Sequence, residues 1–281
     1  MDEWDAYFWP DSSVLKNKAG LTQAETLRSF EYEATRLRAE QLRAHPLEGR
    51  FDIAHYRAIH RHLFQDVYDW AGEFRRVEFS KGSSAFAPLK TPLHTLESWG
   101  AKILGELAAD HHLKGLKKAA FVERLTHHYG ELNFWHPMRE GNGRATKEFL
   151  YQLAKEAGYE LEFHRVSAKT WNTAAERQAG AHDARLSREV FEKIATPSRA
   201  IAFRDEHILD AVQRFPELKG AADALEAAQR KGEAEYDPGT ARLFMAKVHA
   251  QLLERLSTGD IIRPPTRDAA REGPDDDTRD R

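Results

Sequence analysis

The sequence contains no cysteine, so disulfides, thiolate zinc sites and cysteine nucleophiles are excluded. It also lacks any apolar run close to the roughly 20 residues of a membrane span. Its first residues, Met1-Asp2-Glu3-Trp4-Asp5, are acidic and precede no apolar core, which argues against a secretory signal peptide. These absences predict a soluble protein of the cytoplasm.

An excess of one charge is also missing, because 42 Lys and Arg oppose 45 Asp and Glu, for a net charge of -3. No global positive field therefore favours nucleic acid or an anionic membrane as a partner. Hydrophobic residues make up 41% of the 281 positions, enough to fill a sizeable core. The composition predicts a globular protein with no direct nucleic-acid binding.

Apolar residues recur at helical spacing along most of the chain, which predicts an all-α fold. Thr22 and Glu25 have the spacing of a capping box, and Asp52 is placed to cap a second helix that Ala71 and Gly72 close. The other predicted helices cover residues 92–110, 116–132, 145–157, 167–181, 184–195, 201–215, 218–232 and 240–256.

Residues 73–89 have a different pattern, with short apolar runs on both sides of a Lys-Gly-Ser-Ser turn. The pattern predicts a β-hairpin that must lean on the helices to be stable. Composition changes near Thr196-Pro197-Ser198 and again at Pro264. We therefore expect a main domain over 1–197, a small helical extension over 198–263 and a disordered charged tail over 264–281.

Most of the groups that a phosphate-binding site would need lie in residues 136–144, His-Pro-Met-Arg-Glu-Gly-Asn-Gly-Arg, between two predicted helices. Pro137 forces the chain to turn and places the His136 imidazole at a corner. The Gly-Asn-Gly run then opens the next helix, where unpaired N–H groups and the helix dipole favour an anion. The spacing is neither that of a Walker A loop nor G-x-G-x-x-G after a strand.

Each of these residues alone has an ordinary explanation as a turn residue or a solvated charge. Together a base candidate, a carboxylate, an amide-rich turn and an arginine supply what one phosphoryl-transfer site needs. The stretch resembles the motif of the Fic family, H-P-F-x-[D/E]-G-N-G-R-x-x-R. The resemblance covers roughly residues 1–195 and includes 15–18, 59–64, 68–73 and the Lys81-Gly82 pair.

The resemblance implies a Fic-type helical domain with a hairpin flap, and transfer of AMP from ATP to a Ser, Thr or Tyr hydroxyl of a target protein. His136 would be the general base, and Glu140 would hold Mg²⁺ at the phosphates. The flap would align the target by main-chain pairing, with Lys81 and Gly82 as its functional residues. Nucleotide binding is expected from Gly141, Asn142, Gly143, Arg144 and Lys147.

Two positions depart from the family motif. Met138 replaces Phe and is expected to face the core. Lys147 stands where the family has a second Arg that meets the γ-phosphate, and lysine lacks the bidentate fork.

The inhibitory family pattern [S/T]-x-x-x-E-[G/N] is absent from the sequence. Its absence suggests a toxin restrained in trans by a small helical antitoxin that supplies the inhibitory Glu. Family-level analogy points to type II topoisomerase subunits as targets. The expected location is the cytoplasm, either of the producing cell or of a cell into which the protein is delivered.

Three alternatives stay open. A relative of this fold could transfer another group, such as UMP, phosphocholine or a γ-phosphate. The chain could also be an interaction protein whose site has decayed, although the retained polar residues argue against decay. A zinc site built from His127, His128 and His136 is disfavoured, because adjacent helical residues do not face one metal and H-E-x-x-H is absent.

Overall fold

The computed structural model describes residues 3–80 and 86–263. These residues form eleven α-helices and one two-stranded sheet, so the prediction of a mainly helical protein is confirmed. The chain divides into two compact units, Met1–Ala195 and Thr196–Arg281. None of the helices in the described ranges combines the length and the apolar character that a bilayer crossing demands.

The first unit contains seven helices and strand β1 (Tyr159–Leu161), and the chain passes into the second unit within strand β2 (Ala195–Pro197). The helices are α1 (Ala24–Ala44), α2 (Ile53–Phe64), α3 (Leu96–Ala109), α4 (Lys118–Trp135), α5 (Asn142–Glu156), α6 (Ala168–Ala181) and α7 (Arg185–Ile194). Strand β1 pairs with β2, and the sequence patterns predicted neither strand. Three residues each are too few for a period-2 pattern to be visible.

The core of this unit fixes the two helices that flank the motif. Helix α4 packs on α3, α5, α6 and α7, and α2 contacts both α1 and α5. Trp135 at the end of α4, Tyr56 of α2 and Phe149 of α5 are fully buried, with the Tyr56 ring 5.1 Å from that of Trp135 and 5.6 Å from that of Phe149. The Trp135 Nε1 also donates a hydrogen bond of 2.7 Å to the Leu96 carbonyl. The loop between α4 and α5 therefore starts and ends on rigid elements.

Capping side chains set the first residues of helices α2 and α3. Asp52 caps α2 as predicted, and its carboxylate accepts from the His55 N–H at 2.9 Å. The capping box predicted at Thr22 is wrong, because Gln23 is the last extended residue before α1 and its side chain makes no capping bond. Helix α3 begins at Leu96, later than predicted, because Thr95 and Ser98 form a capping box there.

The described parts of the predicted hairpin, residues 73–80 and 86–89, contain no strand. Their backbone donors are used elsewhere, since the Arg75 N–H donates to the Pro137 carbonyl and the Ala87 N–H to the Phe134 carbonyl, each at 2.8 Å. We call residues 76–80 and 86–89 the flap arms. Lys81 and Gly82, predicted to dock the target, lie outside the described residues.

The second unit contains four described helices where three were predicted. They are α8 (Ser198–Asp205), α9 (Ile208–Arg214), α10 (Lys219–Glu235) and α11 (Pro238–Ser257). The single helix predicted over 201–215 is wrong because Glu206 and His207 are extended, with ψ of 162° and 137°. Helices α10 and α11 pack together, and Phe203, Leu218 and Leu256 are buried in the core of this unit. The tail predicted to be disordered, 264–281, lies outside the described residues.

Candidate active site

His136 stands at the corner where α4 ends. It adopts a left-handed conformation with φ 41° and ψ 55°, which fits the exclusion of right-handed helix before Pro137. Its Nδ1 lies 3.3 Å from the Asn133 carbonyl. A carbonyl only accepts, so a hydrogen bond there puts the proton on Nδ1 and leaves the lone pair of the neutral imidazole on Nε2. This is the tautomer that a base acting through Nε2 requires.

Two aromatic rings from the flap arms cover the His136 imidazole. Phe86 stacks on it with 3.7 Å between ring centroids and 15° between planes, and Phe79 approaches edge-on at 5.7 Å. The histidine is only 7% exposed. The imidazole is thereby held in one orientation by packing on top of the backbone corner.

The Asn142 side chain closes the loop that follows the histidine. Its Oδ1 accepts from the Met138 N–H and its Nδ2 donates to the Met138 carbonyl, both at 2.8 Å. Asn142 is 3% exposed and Met138 is completely buried, as predicted for Met138. The Asn142 amide therefore shapes the loop, and any anion bound here would meet backbone N–H groups.

The two glycines of the loop have different physical requirements. Gly141 has φ +83°, and a Cβ on it would lie 2.2 Å from the Phe64 ring, so both conformation and space demand glycine. Around Gly143 no heavy atom would lie within 4 Å of a Cβ. Because the first helical bond of α5 runs from the Ala145 N–H to the Gly141 carbonyl, the N–H groups of Asn142 and Gly143 have no partner within the helix.

Glu140 lies directly before this helix start. Its Oε1 accepts from the Gly141 N–H at 2.9 Å and lies 3.9 Å from the Arg144 Nη2, and its side chain is 28% exposed. Its backbone carbonyl accepts from the His60 Nε2 at 2.9 Å, while the His60 Nδ1 accepts from the Gly72 N–H at 2.9 Å. Burial lowers the pKa of His60 to about 4, so His60 is a neutral support for the loop.

Among the described residues, no group of three or more His, Asp or Glu side chains could enclose a metal ion. Glu140 offers one carboxylate, which suits Mg²⁺, since that ion is usually held by one or two carboxylates together with substrate phosphates. His128 of the disfavoured zinc hypothesis instead has its Nε2 2.7 Å from Asp110.

Arg144 is held by helix α1, a relationship that the sequence patterns did not predict. Its Nη2 pairs with the Glu31 carboxylate, its Nη1 lies 3.3 Å from the Thr35 hydroxyl, and its guanidinium carbon lies 4.6 Å from the Phe64 ring centroid. The Tyr68 hydroxyl donates to the same carboxylate, and burial and Glu31 raise the Tyr68 pKa. The arginine is thus oriented before any ligand binds.

Lys147, in place of the second motif arginine, lies against aromatic rings. Its Nζ is 4.2 Å from the Phe163 ring centroid and 5.7 Å from that of Trp171. Burial lowers the Lys147 pKa, and the nearby positive charge of Arg43 lowers it further. Cation–π contact offsets part of the desolvation cost.

Arg139, in the loop between α4 and α5, lies among aromatic rings from the first ten residues and from the flap arm 76–80. Its guanidinium carbon is 4.6 Å from the Trp4 ring centroid and 5.3 Å from those of Phe8 and Phe79. Burial lowers the Arg139 pKa. The aromatic N-terminal residues therefore pack on the motif loop itself.

The profile of the Fic/DOC family matches residues 50–154. A probable protein adenylyltransferase Fic from Escherichia coli is 36% identical over 193 residues, covering 68% of this chain and 92% of the relative. A probable protein adenylyltransferase Fic from Salmonella typhimurium is 37% identical over 196 residues, covering 69% of this chain and 94% of the relative.

A solved structure with the same fold is the N-terminal Fic domain of a putative cell filamentation protein from Bartonella quintana with bound ADP. It superposes with a TM-score of 0.62 at 26% identity and covers 70% of this chain and 97% of that one. From the long alignment with full-length relatives, the matched profile and the shared fold, we conclude that the chain belongs to the Fic/DOC family.

Proposed function

We propose that the protein is a protein adenylyltransferase, which moves AMP from ATP to a Ser, Thr or Tyr hydroxyl of another protein. The observation that carries the proposal is the arrangement of the α4–α5 loop. A histidine held with its Nδ1 toward a carbonyl lies six residues before a helix start whose glycine opens into empty space. The relatives named probable protein adenylyltransferase agree with this chemistry.

In this proposal the phosphates of ATP lie at the first turn of α5. The N–H groups of Asn142 and Gly143 face the α-phosphate, and Arg144 donates to the phosphate chain. The empty space at Gly143 is where a phosphate can approach the backbone. Lys147 is assigned to the γ-phosphate end by its place in the motif.

Glu140 would hold the Mg²⁺, which when bound neutralises charge on the α- and β-phosphates. Its partly exposed carboxylate at the start of α5 supports this assignment.

His136 Nε2 takes the proton of the target hydroxyl as that oxygen attacks the α-phosphorus. The new oxygen–phosphorus bond forms as the bond from the α-phosphorus to the bridging oxygen breaks, and pyrophosphate leaves. An imidazole suits this step because its ordinary pKa is near neutral pH. The flap, with Lys81 and Gly82, would align the target next to the histidine by main-chain pairing.

Control by a separate protein is part of the proposal. The described helices and the full sequence contain no [S/T]-x-x-x-E-[G/N] segment that could inhibit the site from within the chain. We therefore propose a toxin whose antitoxin supplies a glutamate in trans, acting in the cytoplasm on targets such as type II topoisomerase subunits.

The test uses purified protein, Mg²⁺ and ATP labelled at the α- or the γ-phosphate, with and without a cell lysate. We expect the α-label on protein and the γ-label on none, because AMP transfer releases the γ-phosphate in pyrophosphate. His136→Ala should lower α-labelling by about 10²- to 10⁴-fold, the usual contribution of a general base.

His127→Ala is the matched control, since that histidine is on the same helix with a side chain 42% exposed. It should label as wild type does. Equal labelling by His136→Ala and wild type would refute the proposed base, and γ-label on protein would indicate a kinase instead.

A further inference from the structure

Arg75 is a completely buried guanidinium outside the motif. Its Nε donates to the His136 carbonyl at 3.1 Å, and its Nη1 donates to the Val77 carbonyl at 2.8 Å and to the Glu78 carboxylate at 3.1 Å. Its Nη2 donates to the Ala87 carbonyl. One side chain thus joins both flap arms to the residue proposed as the base.

Burying this charge is costly, and burial lowers the Arg75 pKa even though Glu78 opposes that effect. The arrangement is stable because three backbone carbonyls and a carboxylate satisfy the guanidinium donors. Each carbonyl comes from a different segment. A lysine ammonium has no planar fork and cannot span these acceptors in the same way.

Glu78 completes the connection from the solvent side. Its second oxygen, Oε1, accepts from the Leu89 N–H at 2.6 Å, while Oε2 accepts from Arg75. The two arms are therefore tied to each other by an arginine and a glutamate, in place of the strand ladder that they lack. The Glu78 side chain is 58% exposed.

The arms in turn hold the imidazole. Phe79 and Phe86, one from each arm, are the two rings that pack on His136. With the arms fixed by Arg75, the rings hold the imidazole so that Nδ1 remains directed at the Asn133 carbonyl.

We propose that Arg75 is a positioning residue for His136. By fixing both flap arms and the His136 carbonyl, it keeps the rings of Phe79 and Phe86 on the imidazole and so keeps the imidazole in the orientation that the proposed base requires. The assignment of a catalytic effect rests on the proposed function, whereas the effect on the imidazole does not.

The first measurement is independent of activity. A ring stacked at 3.7 Å shifts the carbon-bound protons of the His136 imidazole upfield in the NMR spectrum, and a His136→Gln variant assigns the signal. We expect this upfield shift to be lost in Arg75→Ala and kept in Arg76→Ala. Arg76 is the matched control, a neighbouring arginine with a side chain 72% exposed.

The second measurement compares AMP transfer with ATP binding by calorimetry. Arg75→Ala should lower transfer by about 100-fold, as expected for a misplaced catalytic group, and leave ATP affinity close to wild type. Millimolar guanidinium should restore part of the transfer by filling the vacated cavity. Should Arg75→Ala fail to fold, Glu78→Ala weakens the same connection from the exposed side and should lower transfer less.

The outcomes separate the two ideas. If wild type transfers no AMP, the proposed function fails, and the NMR shift still decides whether Arg75 holds the imidazole. An unchanged His136 shift in the folded variants would overturn the inference. So would transfer equal to wild type, or a loss of ATP binding as large as the loss of transfer.

Discussion

Arg144 and Glu31 form an ion pair between residues that are 113 positions apart in the sequence. The pair joins the motif helix to α1, and the Tyr68 hydroxyl donates to the same carboxylate. The Glu31 side chain is 15% exposed and that of Arg144 is 37% exposed, so the pair is partly shielded from water. Helix α1 therefore helps to orient Arg144, the arginine that our proposal assigns to the phosphates, even though the motif lies in the α4–α5 region.

This pair should be energetically coupled. A double-mutant cycle with Glu31→Gln and Arg144→Met is expected to give a coupling of about 1–2 kcal/mol in the free energy of unfolding, above the ~0.2–1 kcal/mol of fully exposed pairs. Urea unfolding of the four proteins measures it. The same cycle on Arg28 and Glu25, whose side chains are 75% and 79% exposed, is the control and should give much less. Equal couplings in the two cycles would contradict a structural role for Glu31.

The two motif glycines should respond in opposite ways to alanine. Gly141→Ala is expected to lower the free energy of unfolding by about 2–4 kcal/mol, because left-handed strain adds to overlap with Phe64. Gly143→Ala meets no atom and should leave stability unchanged or raise it by up to about 1 kcal/mol.

Gly143→Ala should nevertheless weaken ATP binding, since the added methyl group enters the space assigned to a phosphate. Chemical unfolding and calorimetric titration with ATP measure the two effects separately. A Gly143→Ala protein that binds ATP as wild type does would show that the phosphates lie elsewhere.

His60 should make stability depend on pH. Its folded pKa is lowered to about 4 from 6.5, so between these values the unfolded chain binds a proton that the folded chain does not. The free energy of unfolding is therefore unaffected by His60 protonation above pH 6.5. It falls as the pH falls toward 4, by up to about 3 kcal/mol. Urea unfolding at several pH values measures this slope. His60→Gln should be less stable at pH 7 and show a shallower fall, and identical slopes would refute the assignment.

Lys147→Arg should strengthen ATP binding and raise AMP transfer. The guanidinium restores the bidentate fork that lysine lacks, so ATP affinity and AMP transfer are expected to rise several-fold. Lys155→Arg, on the same helix with a side chain 44% exposed, is the control. If both variants match wild type, Lys147 does not contact the nucleotide.

Local patterns predicted the parts of the fold that depend on neighbours in sequence. Asp52 caps α2 because a cap needs only the next three residues, and Pro137 forces the corner at His136 because its effect is on the preceding residue. The burial of Met138 followed from its place in the motif. Helix existence and the central loop could thus be derived before the structure.

Contacts across long separations had no such signal. Glu31 and Arg75 are ordinary charged residues in sequence, and only the tertiary fold places them against Arg144 and the His136 carbonyl. The predicted hairpin had short apolar runs on both sides of a turn, yet its arms are tied by side chains and by bonds to the α4 end. The helix break at Glu206 and His207 contains neither proline nor glycine, so no local residue type indicated it.

The two bonds from Asn142 to Met138 span only four residues, so this part of the motif can form its shape wherever two helices present its ends. Groups that orient His136, Glu140 and Arg144 come from α1, α2 and the segment around Arg75. If residues 136–144 were transplanted into another helical scaffold, the backbone of the loop would therefore keep its shape, but its side chains would lose the orientation that they have here. A portable catalytic unit would have to carry those three segments as well.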